Sequence, residues 1–337
     1  MKYFKKSLTL LENILQNFWL KICPHNNFKK ELEKVIKNNN IKAIIISGGP
    51  FIQFKLGYHF KKKYGIKWIA DYRDAWTTST INNIEGSIIK SLINKYHRFF
   101  EKKWIKTASR ITASSGPIGS SISKITGVTS TVIFNGFEPS DFQGYEHIEK
   151  NKKFFQVAYI GTLYSGQDIS IFIDAFKKFV DETKANAKII FPGLDLDLTQ
   201  KKRVEKLMIG YDNFYETSLR VPKSEIIRIE KSSHLLLHIA WKGFDGIIAS
   251  KIYEYIGSGT KIIVAPGDNG SIDKIVRETK SGSIFNDSDS TFNFLCNQYE
   301  KYKQNKLDYS SLNKFSEQLT RKNQAKELAK QINEIIK

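Results

Sequence analysis

The sequence predicts two doubly wound α/β units, on three observations. Short apolar runs alternate with longer amphipathic segments along the chain. Most runs end on a turn rich in Gly, Pro, Ser, Asp or Asn. After a polar stretch at 138–153 (EPSDFQGYEHIEKNKK), the same pattern starts again. The chain has 337 residues, too long for one ordinary α/β domain and comfortable for two.

In the first half, strands are expected at 41–47 (IKAIIIS), 67–70 (KWIA), 110–113 (RITA) and 131–134 (TVIF), with helices at 50–63, 86–108 and 117–126 between them. An aromatic-rich helical lead at 4–22 precedes them. The second half predicts strands at 155–160, 188–191, 213–216, 235–239, 261–265 and 283–285. Its helices are expected at 168–183, 199–209, 223–231, 251–257, 271–279 and 288–303, with basic helices at 310–337. Strand–helix alternation of this kind means parallel βαβ units. The expected domains are 1–145, 146–305 and a C-terminal helical segment, 306–337, that returns to the first domain. Ligands of open parallel sheets sit beyond the carboxyl ends of the strands. With two such sheets, the site is expected in a cleft that both face.

Composition narrows the function. Hydrophobic residues make up 41% and charged residues 26%, values of an ordinary soluble protein. The two cysteines, Cys23 and Cys296, are far apart and read as reduced thiols. No apolar run approaches the roughly 20 residues that span a bilayer. The start loosely mimics a signal peptide, but Glu12 and Asn13 interrupt it, so a cytoplasmic protein is expected. Net charge is +19, and residues 1–150 carry 24 Lys/Arg against 11 Asp/Glu. That bias suits an anionic partner such as a membrane surface or a phosphorylated substrate. Solvated lysines explain it equally well. No nucleic-acid-binding module is recognisable, so nucleic acid is not an expected partner.

The segment 246–265 (GIIASKIYEYIGSGTKIIVA) carries the most chemistry. Ser250 is placed to cap a helix that Gly257 and Gly259 end. Lys251 and Glu254 are three apart and share one helix face. At a helix N-terminus, backbone N–H groups favour a diphosphate, and Lys251 adds a formal charge. Glu254 is suited to accept hydrogen bonds from two ribose hydroxyls. The bland alternative is a surface Lys–Glu pair. Gly161 ends the first strand of the second half, where a glycine lets backbone approach phosphate. In the first half, Asp71, Arg73 and Asp74 follow a strand. Two acids around one arginine suit sugar hydroxyls or an acceptor, or else the acids simply clamp the arginine. Trp76 either stacks on a sugar or anchors its loop. Asp195 and Asp197 look like a metal pair but read as a surface loop, and His234 and His238 as core or cleft residues.

The stretch SKIYEYIGSGTKIIVAP resembles the donor-site signature of retaining glycosyltransferases of family 4. Three further segments agree in order: 69–76 (IADYRDAW), similar to a run in a lipopolysaccharide or exopolysaccharide branch of that family; 133–137 (IFNGF), similar to its turn before the second domain; and 159–168 (YIGTLYSGQD), similar to its first donor-domain loop. Together they cover residues 40–290. The resemblance implies a GT-B fold, α/β with two Rossmann-like doubly wound parallel-sheet domains facing a cleft. It implies a hexosyltransferase type of enzyme in cell-surface polysaccharide biosynthesis. A nucleoside-diphosphate sugar is the donor substrate, no cofactor or metal is required, and the acceptor is a glycan or lipid-linked. The donor-binding residues carried over are Gly161, Thr162, Val221, Gly246, Ser250, Lys251 and Glu254. Asp71, Arg73 and Asp74 are the catalytic-side candidates, with Asp71 a guess as base. The sequence departs from the family at Gly246, where a second glutamate is common. It departs again at Thr162 and Gln167, where an arginine and a lysine are common. Family members also open with a strand and a Gly-rich loop that have no counterpart before residue 41. The first domain is therefore expected to be incomplete, and the alternative function is an impaired remnant that only binds nucleotide sugar or acts as a scaffold.

Overall fold

The computed structural model describes residues 8, 11, 26–79, 88–308 and 312–337. The helical lead expected at 4–22, Trp19 and Cys23 lie essentially outside these residues. The chain divides into two compact units, Met1–Phe134 with Ala325–Lys337, and Asn135–Gln324.

The first unit carries α1 (Asn26–Asn38), β1 (Ala43–Ser47), α2 (Phe54–Tyr64), β2 (Lys67–Tyr72), α3 (Ile88–Ile105), β3 (Arg110–Ala113), α4 (Gly116–Thr126) and β4 (Ser130–Val132). The strands form a parallel sheet in the order β1-β2-β3-β4. Within the described residues this order advances in one direction. Gly65 and Gly127 end α2 and α4 in left-handed conformations, φ +71 and +75. The core is aromatic, with Trp68, Trp104, Tyr72, Phe54 and Phe60 all fully buried. Gly57 lets α2 lie directly on β2, since a Cβ there would come within 2.4 Å of the Trp68 ring. The edge strand β1 buries only Ile46, and Ile45 is exposed.

The second unit carries β5 (Phe155–Ala158), α5 (Ser170–Thr183), β6 (Ala187–Pro192), α6 (Leu198–Leu207), β7 (Tyr215–Ser218), α7 (Lys223–Ser232), β8 (Leu235–His238), α8 (Lys251–Ser258), β9 (Ile262–Val264), α9 (Ser271–Thr279), β10 (Gly282–Ile284), α10 (Ser288–Lys303) and α11 (Lys314–Gln318). Its six strands are parallel in the order β10-β9-β8-β5-β6-β7. The order reverses between β8 and β5, which makes that strand pair the topological switch point. Phe155, Val157 and Tyr159 pack with Phe172, Phe176 and Phe179 in its core.

Two expectations need correction. The strand expected at 213–216 starts later, because Asp212–Phe214 forms a 3-10 turn and pairing begins at Tyr215. The boundary expected at 145 falls inside the second unit. Asn151 donates its backbone N–H to the Ser232 carbonyl at 2.9 Å, Lys223 bonds Asp141, and a Cβ on Gly257 would meet Phe137 and Phe142 at 2.6 Å. The last helix, α12 (Arg321–Ile336), has its residues from Ala325 onward in the first unit. There Glu334 pairs with Arg110 at 3.2 Å and Gln331 accepts from Thr131 at 3.0 Å.

Candidate functional site

The switch point gathers several of the sequence-derived residues of the second unit. Beyond β5, Gly161 has φ +86, and its N–H bonds the Pro192 carbonyl at 2.9 Å. Gly193 approaches so closely that its Cβ would lie 3.3 Å from the Gly161 Cα, while a Cβ on Gly161 would meet nothing. The loop backbone is thus fixed on one side and open on the other. Helix α8 is tied to this loop at two points four residues apart, hence on one face. The Lys251 ammonium donates to the Thr162 carbonyl at 3.4 Å and sits 3.9 Å from the centre of the Tyr159 ring. The Tyr255 hydroxyl accepts from the Ile160 N–H at 2.9 Å.

Burial lowers the Lys251 ammonium from an ordinary 10.5 to about 7, against the pull of Glu254. Glu254 is half-buried on the same face. Two buried groups lie beside this pair. His238, at the end of β8, is 2% exposed; burial and then Lys251 hold its imidazole down at about 3, and its Nδ1 has no hydrogen-bond partner. Glu230 on α7 is 1% exposed; burial and then Glu254 raise its carboxyl to about 8, and its Oε1 is likewise unpartnered.

Ser250 stands in the helical region, φ −58 and ψ −30, and its hydroxyl makes no capping bond. The first turn begins earlier, with Ile252 and Tyr253 N–H groups bonding the Ala249 and Ser250 carbonyls. Gly246 is buried with φ +90. The Asp245 carboxylate beside it holds the start of α9 through Ser271 N–H at 2.7 Å. Val221 is half-buried between β7 and α7. Gln167, where the family resemblance leads one to look for a cation, is a fully employed buried amide. Its Nε2 donates to the Ile239 carbonyl at 2.6 Å, and its Oε1 accepts from Tyr164 N–H at 3.0 Å and the Tyr159 hydroxyl at 3.3 Å.

In the first unit, Asp71 is 8% exposed and accepts from Ser47 at 2.8 Å, Thr112 at 2.7 Å and Arg73 at 2.6 Å. The clamp reading therefore holds for Asp71 and Arg73. Both oxygens of Asp71 accept hydrogen bonds from neighbours within the unit. Asp74 is exposed. Trp76 anchors its loop, stacked on Phe51 with centroids 5.3 Å apart and donating to His97 at 3.3 Å. The sequence reading missed Glu101, wholly buried, which accepts from the Tyr72 hydroxyl at 3.0 Å and from Thr77. Burial raises its carboxyl. Asp195 pairs with Lys201 at 3.0 Å and Asp197 caps α6. His234 accepts from Gln156 N–H at 2.9 Å. Among the described residues no group of three His, Cys, Asp or Glu is arranged to hold a metal.

No protein-family profile and no curated protein matches the chain. Solved structures do. A glycosyltransferase from Rickettsia africae aligns over 92% of this chain and 81% of its own, with 11% identity and a TM-score of 0.66. Sucrose-phosphate synthase from Thermosynechococcus elongatus covers 91% and 77%, with 10% identity and a TM-score of 0.62. Anabaena HepE in complex with UDP-glucose covers 86% and 78%, with 13% identity and a TM-score of 0.62. The chain has the GT-B fold. Around the switch point the structure places Tyr159, Gln167, Tyr255 and His238 beside Lys251 and the Gly161–Thr162 loop. Of these, the sequence singled out Gln167, as a departure from the family, and His238, as a core or cleft residue.

Proposed function

We propose that the chain is a glycosyltransferase that takes a hexosyl group from a nucleoside-diphosphate sugar. One observation carries this reading: the face of α8 bearing Lys251 and Glu254 is fastened against the Gly161–Thr162 loop at the switch point of a GT-B donor-type sheet. The open side of Gly161 and the Lys251 ammonium suit a diphosphate, and Glu254 suits the ribose diol. Val221, Gly246 and Ser250 flank the same end of the sheet. A thermal-shift screen of nucleoside diphosphates is the first test. No shift with any of them removes the proposal.

The acceptor is a glycan or lipid-linked sugar in cell-surface polysaccharide synthesis, and transfer retains the anomeric configuration without a required metal. The leaving diphosphate itself accepts the incoming hydroxyl's proton as its bond to the sugar breaks. The protein then contributes positioning and charge stabilisation.

Lys251 makes donor binding pH-dependent. Its folded value near 7 lies below the ordinary 10.5, so the folded protein holds it largely neutral at pH 8, with Glu254 and His238 as its charged or polar neighbours. A diphosphate favours the charged form. Binding at pH 8 is therefore expected to take up close to one proton, and affinity to fall as pH rises above about 7. Calorimetry in buffers of different ionisation enthalpy reads the uptake, which Lys251→Met abolishes. Without ligand the sign is opposite: the unfolded chain binds the extra proton, so this group favours folding increasingly from about pH 7 to 10.5.

The protein works at the cytoplasmic side of an anionic membrane. No helix among the described residues is long and apolar enough to cross one. Of the aromatic residues set among the lysines of α3, Phe100 and Trp104 are buried in the core. The outward face of α3 is better suited: Leu92 and Phe99, seven apart, are 59% and 61% exposed, and Lys95, Arg98, Lys102 and Lys103 surround them. At about 1 kcal/mol per basic residue, Lys95→Glu, Lys102→Glu and Lys103→Glu with Phe99→Glu are expected to abolish sedimentation with phosphatidylglycerol vesicles. Retained sedimentation rejects this face.

A further inference from the structure

Two aromatic side chains stand at the switch point without a role in gripping diphosphate or ribose. Tyr164 lies two residues past Thr162 in the loop after β5, and its side chain is 51% exposed. Trp241 lies three residues past His238 in the loop after β8 and is half-buried. Strands β5 and β8 pair directly, through Val157–Leu235 and Ala158–Leu236. The two rings meet with centroids 5.7 Å apart and planes at 38°.

An exposed tyrosine on a loop is unremarkable when the loop is loose. This loop is held on every side. The Arg203 guanidinium donates to the Tyr164 carbonyl at 3.3 Å, the Ser165 carbonyl at 3.4 Å, the Gln167 carbonyl and the Gln200 amide oxygen at 3.0 Å. Gln167 bonds the Tyr164 N–H and crosses to the Ile239 carbonyl, two residues before Trp241. Gly166 lies flat on the indole, where a Cβ would come within 2.3 Å of the ring. The Phe244 N–H closes a turn on the Trp241 carbonyl at 2.9 Å. Arginine, glutamine and glycine together thus fix an exposed phenol ring against a half-buried indole, leaving aromatic surface in water that a ligand could cover.

We propose that Tyr164 and Trp241 form the wall on which the pyranose ring of the nucleotide sugar packs. The inference rests on the glycosyltransferase reading above and adds the subsite for the transferred group. A pyranose presents one face of C–H bonds. That face loses little on leaving water and gains contact with an aromatic surface, while its hydroxyls stay free for hydrogen bonds at the edge. Tyr164 follows the loop proposed for the diphosphate by two residues and meets Trp241 after the neighbouring strand, so the rings stand next to that loop.

The test uses the full chain with three matched pairs: UDP and UDP-glucose, GDP and GDP-mannose, dTDP and dTDP-glucose. The pair giving the largest thermal shift is titrated by calorimetry against wild type, Tyr164→Ala, Trp241→Leu and Tyr164→Phe. The expected result is that Tyr164→Ala and Trp241→Leu bind the free diphosphate within about twofold of wild type but bind the nucleotide sugar about tenfold more weakly. Tyr164→Phe, which keeps the ring, restores the sugar-dependent affinity. The sugar nucleotide, and not the diphosphate, changes the indole fluorescence that Trp241→Leu removes. Equal weakening of both members of the pair assigns the rings to the nucleobase and overturns the proposal. Unchanged sugar-nucleotide affinity in the variants overturns it while leaving the donor-site reading intact. Absence of binding by wild type to all six compounds overturns both.

Discussion

Replacing Glu254 by alanine is expected to weaken nucleoside-diphosphate binding by at least about 150-fold, the largest single loss in the proposed donor site. A carboxylate that accepts from two ribose hydroxyls makes two charge-assisted bonds, each worth about 1.5–3 kcal/mol. Glu254 has a second function in the fold, since its charge pulls against the burial of the Lys251 ammonium and helps keep the neighbouring Glu230 carboxyl high. Its removal therefore lowers Lys251 further and leaves the diphosphate facing a more neutral site. Calorimetry should show the loss in a variant that melts near the wild-type temperature, because Glu254 is half-buried and its partners remain solvated or neutral. Binding unchanged by Glu254→Ala would mean that the ribose lies elsewhere.

Asp71→Ala is expected to destabilise the first unit by about 3 kcal/mol, read as a lower urea midpoint. The Asp71 carboxylate joins three neighbouring strands at their carboxyl ends, taking the Ser47 hydroxyl from β1, the Thr112 hydroxyl from β3 and the Arg73 guanidinium from the loop after β2. Register places Ser47, Asp71 and Thr112 side by side across the sheet. Deleting the acid leaves two partly buried hydroxyls and a guanidinium without their acceptor, and a broken pair of this kind is far more costly than an exposed one. Asp71→Asn keeps the shape but loses the charge opposite Arg73, and falls between. Wild-type stability in Asp71→Ala would show that water replaces the carboxylate and that its role is not structural.

Much of the fold was legible because its signals are local. Parallel strands buried on both faces must be continuous apolar runs, and those at 67–70, 110–113, 155–160 and 235–239 lie within two residues of β2, β3, β5 and β8. Helix α9 begins and ends where its pattern does. The site was half legible for the same reason. Lys251 and Glu254 announce themselves by sitting at a helix start between a loop and a strand. Gln167 did not, because an amide that bonds two carbonyl-end loops is recognisable only once β5 and β8 are known to be neighbours. Tyr159 and Tyr255 are core residues as well, and the Tyr255 hydroxyl matters through the Ile160 N–H, 95 residues away in the chain. Asp71 was ambiguous for an energetic reason. The residue types that clamp an arginine and those that bind a sugar are the same, and Ser47 and Thr112 decide between them from 24 and 41 residues away.

The bracing of the loops after β5 and β8 has a kinetic consequence. Gln167 uses both ends of its amide and Arg203 four of its contacts to finish this lip of the second unit before any ligand arrives. No segment there has to fold on contact, so capture by the lip is a single encounter whose rate follows diffusion and charge, within the ordinary range of about 10⁵–10⁷ M⁻¹s⁻¹ or above it. On the proposed function, differences among nucleotide sugars then reside in how long each one stays.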